Sequence, residues 1–283
     1  SYENRFILGK SNKAKENFDV LIFSIFDIKN VIIPDFIEII GANSFFNHES
    51  VKSIQFSENS KLRIIEKDAF SLTSIESITI PANVEKIKGG CFNDINIIDI
   101  DPKNKNFKYY DNNKMIIGKS RKEEENYDVL ILCDRSVKQV IIPEFIKKIG
   151  SYSFNKCKEL EEIIIPNNSQ LQIIGKYSFC DTRIKTIQIP PQLTKIGDNA
   201  FNICKQLYQV KIPKNSQLQE IKNSAFKNTS IKYIFIPPKV KQIHPFAFSN
   251  CKNLLNVKIP SNSQLEVIGK NAFLNIISMC HRY

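Results

Sequence analysis

Two Gly-Lys-Ser tripeptides are the part of this chain that most resembles a reactive motif. Gly9-Lys10-Ser11 and Gly118-Lys119-Ser120 match the end of a phosphate-binding loop, in which backbone amides and a lysine hold a nucleotide. Such a loop also needs a glycine five residues before the first glycine of the tripeptide. Asn4 and Asn113 occupy those two positions, so we predict that the chain binds no nucleotide.

The other reactive side chains also lack partners at a useful spacing. His48, His244 and His281 have no second histidine or carboxylate at the spacing of metal ligands, and no nucleophile has a base beside it in a recognisable pattern. The acidic run 123–125 lies in a turn with basic neighbours. The sequence therefore predicts a protein that is not an enzyme and that has no catalytic residues, no metal and no cofactor.

The seven cysteines include a regularly spaced set. Cys157, Cys204 and Cys251 each follow a phenylalanine by three residues and are 47 residues apart. If that spacing represents two coils, the three positions lie about 9.6 Å apart, whereas the Cα atoms of a disulfide lie within about 7 Å. We predict a column of buried thiols in the core. A disulfide from Cys180 to a neighbouring member of the column remains an open alternative.

The spacing of prolines shows that the chain is built from a repeat, whose elements must position these side chains. Prolines recur through the second half of the chain at intervals of 23, 24, 23, 24 and 23 residues. The prolines are Pro143, Pro166, Pro190, Pro213, Pro237 and Pro260. A fixed period of this length is the signature of a solenoid. Each proline closes an apolar hexapeptide that alternates like a strand with one buried face, and an Ile-Gly step and an Ala-Phe or Ser-Phe pair follow. We expect the Ile-Gly step to be a turn, the phenylalanines to form one buried row and the hexapeptides to form a continuous platform.

The chain also contains a longer internal duplication, because Pro34 recurs as Pro143 and Phe70 recurs as Phe179 with the same offset. The same offset aligns residues 4–24 with residues 113–133. Each of these segments contains two apolar runs separated by a charged turn. We predict β-hairpins inserted near 4–24 and 107–133, a 109-residue internal duplication, and a single solenoid domain over 1–283. Because Ser1 begins inside a repeat element, we expect the chain to be a segment of a longer or processed precursor.

Several sequence features give the chain a resemblance to a known family. These features are the Ile-Pro, Ile-Gly and Ala-Phe pairs, the cysteine that follows the phenylalanine, and a repeated Asn-Ser-Gln-Leu segment. In them the chain resembles the BspA-like leucine-rich repeat proteins. The four-residue segment occurs at 168–171, 215–218 and 262–265. The resemblance implies a leucine-rich-repeat solenoid, a β-rich horseshoe with a parallel β-sheet on its concave face and short strands, turns or 3₁₀ segments on its convex side. Members of the family are typically surface antigens implicated in adhesion. The resemblance therefore implies a scaffold, at the cell surface or outside the cell, that binds protein or glycan ligands of host or microbial surfaces.

Charge is distributed unevenly along the chain, whose net charge is +11. Residues 1–141 contain 20 Lys/Arg and 21 Asp/Glu, whereas residues 142–283 contain 20 and 8. An excess of this kind favours acidic partners. Binding of a polyanion such as a glycosaminoglycan through the basic half is therefore one alternative function. An intracellular protein–protein interaction scaffold in the cytoplasm is another, because free cysteines suit a reducing compartment.

The candidate contact residues follow from the strand period. The first, fourth and sixth residues of each hexapeptide should face the core, so the third and fifth should project from the sheet, next to the second. The predicted partner-binding residues are Lys185, Tyr208, Lys211, Lys232, Tyr233, Phe235 and Lys258. Exposed aromatic side chains among lysines favour binding, because aromatic anchors carry much of the energy of interfaces. A preference of strands for Tyr and Phe would give the same pattern without a ligand.

Ile141 and Ile164 should be adjacent on the projecting face, and we expect an inserted hairpin to cover them.

The run 276–280 does not resemble a polar cap, so we expect self-association through uncapped ends. No stretch reaches the roughly 20 apolar residues of a membrane span. Asn167 and Asn228 match the glycosylation signal, which operates only if the chain is secreted.

Overall fold

A computed structural model describes residues 5–25, 27–95, 97–121 and 125–276 as strands joined by turns. These ranges contain 24 strands, numbered β1 to β24 in chain order, and no helix. No described segment therefore qualifies as a membrane-spanning helix. Residues 122–124 of the second hairpin tip and the closing residues from 277, where we expect self-association, lie outside the described residues.

The chain divides into two compact units. Unit 1 comprises Ser1–Tyr110 and Ile116–Tyr127, and unit 2 comprises Asp111–Met115 and Asp128–Tyr283. Within each unit, parallel strands from successive repeats stack on one another, so each repeat forms one coil. The predicted class of fold, a β-rich solenoid with parallel sheets and inserted hairpins, is confirmed.

Each hexapeptide contributes one strand of three or four residues to its coil. In unit 1 these are β3 (Asn30–Ile33), β5 (Ser53–Phe56), β7 (Ser77–Ile80) and β9 (Ile97–Ile100). In unit 2 they are β13 (Gln139–Ile141), β15 (Glu162–Ile164), β17 (Thr186–Gln188), β19 (Gln209–Lys211), β21 (Tyr233–Phe235) and β23 (Asn256–Lys258). The fourth residue of each hexapeptide is buried, as the period of two predicts, except in β23, where Val257 is half-buried.

The hexapeptide strands pair two by two, which differs from the expected continuous platform. Hydrogen-bonded pairs are β3/β5, β7/β9, β13/β15, β17/β19 and β21/β23. Thr186 of β17 aligns with Gln209 of β19, across the shorter of the two repeat intervals. The longer interval separates Gln209 from Tyr233 of β21, and β19 and β21 are not paired. At this junction the backbone N–H of Lys232 still donates to Tyr208 at 3.2 Å, but no ladder continues along the strands.

The Ile-Gly steps, expected to be turns, are two-residue strands that form the longest ladders. In unit 1 these are β4 (Ile39–Ile40), β6 (Ile64–Ile65) and β8 (Lys86–Ile87). In unit 2 they are β14 (Lys148–Ile149), β16 (Ile173–Ile174), β18 (Lys195–Ile196), β20 (Glu220–Ile221), β22 (Gln242–Ile243) and β24 (Val267–Ile268). Consecutive members are paired in parallel without a break. A Cβ atom on Gly197 would lie 2.7 Å from the carbonyl carbon of Gly175, so the close approach of adjacent coils favours glycine there.

A column of phenylalanine rings fills the core of each unit. In unit 2 the rings of Phe154, Phe179, Phe201, Phe226, Phe248 and Phe273 are stacked with neighbouring centroids 4.8 to 5.3 Å apart. Stacked aromatic rings at this distance add to the free energy of burying their surface. The single row of rings expected from the sequence is confirmed within unit 2.

The inserted segments supply the remaining strands. In the first hairpin β1 (Phe6–Gly9) pairs antiparallel with β2 (Val20–Ser24), and β2 starts the ladder of β4, β6 and β8. The second inserted segment contains β10 (Phe107–Tyr110), β11 (Met115–Gly118) and β12 (Val129–Cys133), and β12 pairs in parallel with β14.

A buried carboxylate fixes the turn of the first hairpin. Asp19 is 3% exposed and accepts hydrogen bonds from Lys15 Nζ at 2.6 Å and from the Ser11 backbone N–H at 2.7 Å. Burial by itself raises the pKa of Asp19, but the hydrogen bonds from Lys15 and Ser11 outweigh it and lower the pKa to about 2. Lys15 also lies 3.0 Å from Glu38, at the next coil.

An asparagine ladder closes one corner of the coils. The Nδ2 atom of Asn228 donates to Oδ1 of Asn202 at 3.1 Å, and Asn250 donates to Asn228 in the same way. Asn228 and Asn250 have positive φ angles of 59°, which asparagine tolerates better than most residues. The side-chain amide of Asn228, where a glycan would be attached, therefore donates a hydrogen bond within the fold, whereas Asn167 is exposed.

Candidate ligand-binding groove

The projecting side chains of the hexapeptide strands form ordered rows, as the sequence predicts. In the hexapeptide that contains β19, Val210 and Ile212 are 4% and 8% exposed, while Gln209 and Lys211 lie on the surface. Parallel register places the third and fifth positions of neighbouring coils side by side. Phe235 of β21 therefore lies beside Lys258 of β23.

A groove of about 750 Å³ lies over β19, β21 and β23. It includes the junction between β19 and β21, where the hexapeptide ladder is interrupted. Its aromatic walls are Tyr208, Tyr233 and Phe235, and its lysines are Lys211, Lys214, Lys232 and Lys258. Six of the seven predicted contact residues line this one groove.

Aromatic and cationic side chains alternate across the groove. The fifth positions of the three strands carry Lys211, Phe235 and Lys258, so an aromatic ring lies between two ammonium groups. Tyr208 and Tyr233 are 45% and 44% exposed, so their ring faces are accessible. An exposed aromatic ring offers a large rigid contact area at a small cost in side-chain entropy.

The lysines of the groove carry uncompensated charge. Among the residues that the structure describes, none of these four lysines has an ion-pair partner, and no Asp or Glu lines the groove. Lys185, the seventh predicted residue, lies outside the groove and forms an ion pair with Glu161 at 2.6 Å. The hydrogen bond to Glu161 raises the pKa of Lys185. The groove and Lys185 are therefore electrostatically distinct.

The prediction from sequence missed several lining residues. Lys214, Pro238, Pro260 and Asn262 line the groove but follow the hexapeptides, on the turns after the strands. The strand period gives no information on these turns. Lys214 could have been found from the charge excess of the C-terminal half, because it lies two residues beyond a hexapeptide whose fifth residue is also lysine.

Unit 1 contains a smaller groove at the corresponding kind of junction. Its volume is about 310 Å³, and it lies over β5 and β7, which are unpaired and are separated by the longer repeat interval. Glu58 and Asp101 line it, together with Gln55 and Thr79, and no lysine does. The two grooves therefore share a position relative to the strands and differ in charge.

The predicted cover over Ile141 and Ile164 is wrong. The two residues are paired across β13 and β15, as expected, but they are 56% and 36% exposed. Their surface is accessible in the structure, and within the described ranges no hairpin covers it.

Six of the cysteines lie in the described residues, and all six are free and buried, as predicted for the thiols of the column. Cys180 therefore forms no disulfide in the structure. Burial raises the pKa of Cys204 to about 12, so its thiol stays protonated at neutral pH. Its Sγ atom lies 3.0 Å from the carbonyl oxygen of Phe179 and 3.3 Å from Thr182 Oγ1.

His48 occupies the position that corresponds to Cys157 in the internal duplication. It is fully buried, and its ring nitrogens lie 2.7 Å from the carbonyl oxygen of Ser24 and 3.0 Å from that of Phe46. These contacts fix the ring in the core. Within the described ranges, no three His, Cys, Asp or Glu side chains are placed to hold a metal ion.

The repeat matches a known family over most of its length. The model of the BspA type leucine rich repeat region matches in six copies, over residues 18–115, 131–254 and 172–281. The chain belongs to the BspA-type leucine-rich repeat family. This BspA-type protein therefore has the leucine-rich-repeat form of the solenoid, and its family is one of non-enzymatic repeat scaffolds. No curated protein has a sequence that matches it.

Three solved structures share the fold of this BspA-type protein. A leucine rich cell surface protein from Faecalibacterium prausnitzii is 23% identical, with a TM-score of 0.61 over 91% of this chain and 61% of the other. The pneumococcal vaccine antigen PcpA is 21% identical, with a TM-score of 0.58 over 89% and 58%. A leucine-rich repeat protein from Eubacterium ventriosum is 21% identical, with a TM-score of 0.65 over 91% and 78%. The chain thus spans less than two thirds of the length of the first two.

Proposed function

We propose that this protein is an adhesion scaffold, displayed at the cell surface or outside the cell, that recognises macromolecules of host or microbial surfaces through its hexapeptide-strand face. The groove over β19, β21 and β23 carries the proposal. It combines accessible aromatic rings with lysines that have no internal partner among the described residues, and interfaces concentrate their energy in such aromatic anchors. The solved relatives described as a cell surface protein and a vaccine antigen support display outside the cell.

The direct test is binding of the labelled protein to intact epithelial or bacterial cells, measured by flow cytometry. We expect saturable binding by the wild-type protein. The double variant Tyr208→Ala/Tyr233→Ala should raise the half-saturating concentration at least about tenfold, which corresponds to the loss of one strong aromatic contact. A matched control is Phe18→Ala/Phe46→Ala, because these exposed aromatic residues (53% and 42%) lie outside the groove. Equal binding by both variants, or no saturable binding by the wild type, would contradict the proposal.

An intracellular protein–protein interaction scaffold is the second candidate, and the free state of the six described cysteines favours it. The two candidates differ in where the protein is found. Antibodies against the protein should label intact cells if it is displayed, and only permeabilised cells if it is an intracellular scaffold.

A further inference from the structure

The lysines of the groove surround its aromatic residues on several sides. Lys211 and Lys258 occupy the fifth positions of the hexapeptides of β19 and β23, on either side of β21, and Phe235 of β21 is paired directly with Lys258. Lys232 immediately precedes Tyr233, the first residue of β21, and Lys214 lines the groove two residues after the hexapeptide of β19. A molecule in the groove would therefore contact ammonium groups along its length and aromatic rings between them.

The ligand that fits this groove is anionic. Four ammonium groups without a carboxylate in the lining repel one another, and a bound anion relieves this repulsion. The attraction extends about 8 Å at physiological ionic strength, so it also favours the approach of an anionic chain.

The aromatic residues restrict the ligand further. Tyr208, Tyr233 and Phe235 offer flat apolar surfaces to a ligand that has flat apolar faces of its own, such as the C–H faces of sugar rings. Gln209 and Asn262 add uncharged groups that can hydrogen-bond to hydroxyls. Together, the lining groups match a chain of sugars that carries sulfates or carboxylates.

Two other anionic chains fit less well. A single-stranded nucleic acid would also find lysines and aromatic rings in the groove, but the proposed display outside the cell presents the groove to surface glycans rather than to nucleic acid. An acidic peptide that binds by strand addition needs a free sheet edge. One edge of β21 is paired with β23, and its other edge, which carries no ladder, lies against β19, so neither edge is open to an added peptide strand.

We infer that the groove over β19, β21 and β23 binds an acidic, sulfated oligosaccharide, whose sulfates contact Lys211, Lys232 and Lys258 while its sugar rings stack on Tyr208, Tyr233 and Phe235. This assignment rests on the proposed function and names the class of its ligand. The acidic groove of unit 1, with Glu58 and Asp101, would repel the same molecule.

The test measures fluorescence anisotropy of a labelled heparin-derived octasaccharide at physiological salt. The protein should bind it, and the Kd should rise as salt is added. The double variant Lys211→Glu/Lys258→Glu should weaken binding at least about tenfold. The control Lys241→Glu/Lys270→Glu makes the same change in net charge at exposed lysines outside the groove, and its Kd should stay within about twofold of the wild type. Thermal unfolding monitored by circular dichroism checks that both variants remain folded.

Three comparison probes identify the chemistry: the desulfated, N-acetylated octasaccharide, a single-stranded oligothymidylate and a glutamate-rich peptide. The sulfated sugar should bind most tightly. Equal weakening by the groove and control variants would overturn the inference, because net charge alone would then explain binding, and so would tighter binding of the oligothymidylate or the peptide. If cell binding depends on Tyr208 and Tyr233 but the octasaccharide does not bind, the sugar assignment fails and the proposed function stands. If the wild type does not bind cells, the proposed function itself fails.

Discussion

The groove of unit 1 and the groove of unit 2 are built on the same strand positions and have opposite chemistry. Two residues beyond the sixth position of the hexapeptide, unit 1 has Glu58 and unit 2 has Lys214. At the fifth position of the next strand, Thr79 of unit 1 corresponds to Phe235 of unit 2. The repeated backbone therefore sets where a groove forms, and the projecting side chains determine which ligand it accepts.

The cores of the two units differ as well. Phe201 lies 5.2 and 5.1 Å from the neighbouring rings of unit 2, with interplanar angles of 7° and 2°. Phe70 of unit 1 lies 5.5 and 6.2 Å from its neighbours, with angles of 34° and 11°. The ring column of unit 2 is therefore more closely and more regularly stacked than that of unit 1.

The largest expected effect is on this core. Phe201→Ala should reduce the free energy of unfolding by about 3–5 kcal/mol, because it leaves a cavity and removes two stacking contacts. Phe70→Ala should reduce the free energy of unfolding by less, because the ring of Phe70 lies farther from its neighbouring rings, although Phe70 and Phe201 are equally buried. Urea denaturation followed by circular dichroism measures both. A larger loss for Phe70→Ala would show that the regularity of the stack does not determine stability.

The next effect is a transfer of binding from one groove to the other. In a protein with Lys211→Glu/Lys258→Glu, the changes Gln55→Lys, Glu58→Lys and Thr79→Phe should give unit 1 the charges and ring of the unit 2 groove. We expect the Kd for the octasaccharide to improve at least about fivefold, which corresponds to about 1 kcal/mol. Glu58→Gln in the same background is the control for simple loss of a negative charge. No improvement beyond this control would mean that the smaller volume of the unit 1 groove prevents binding.

Acid should destabilise the turn of the first hairpin more than it destabilises the second inserted segment. The folded-state pKa of Asp19, about 2, lies below its ordinary value of 3.8. The carboxylate therefore stabilises the folded state fully above about pH 4, and this contribution is lost as the pH falls towards 2. Lys15→Met should lower the unfolding temperature modestly at neutral pH, because Lys15 is exposed to solvent, and should flatten the dependence between pH 4 and 2.

The variant Lys147→Met, in unit 2, is the comparison for Lys15→Met. Lys147 lies 3.7 Å from Asp128, the residue that corresponds to Asp19 in the internal duplication, so Lys147→Met should have a smaller effect. Thermal unfolding of both variants across this pH range gives the comparison. Equal effects would show that the shorter contact of Asp19 adds no stability.

The smallest effect concerns Lys185. It is paired with Glu161 and lies outside the groove, so Lys185→Ala should leave the Kd for the octasaccharide within about twofold and the urea midpoint unchanged. A loss of affinity comparable to that of Lys211→Glu would extend the binding surface to β17.

Much of this fold can be predicted from the sequence because its signals are local and repeated. The alternation within the hexapeptide places Val210 inside and Lys211 outside, and the recurring phenylalanine fixes the ring column. The Ile-Gly strands could not be predicted, because two residues are too few to show a period of two. Their hydrogen bonds come from neighbouring coils, which a pattern along one coil does not contain.

The candidate site could be predicted in part. The strand period identified Tyr208, Tyr233 and Phe235, but it gave no reason to expect a groove at this place. The groove includes a junction where the ladder is interrupted after the longer repeat interval. Hydrophobic patterning does not record this change in pairing. The period also selects Lys185, at the second position of its hexapeptide. It could not exclude this residue, because the ion-pair partner Glu161 lies on the preceding coil.

The alternation of paired and unpaired strands has a consequence for how such a chain can grow. Because shorter and longer coil intervals alternate in the second half of the chain, the smallest segment that can be duplicated there without disturbing the pairing is a pair of coils. A recombination event of that length would insert one intact junction, with its own set of outward side chains free to diverge. Copying a single coil would instead place two like intervals in succession, and selection should therefore lengthen or shorten the protein in steps of two coils.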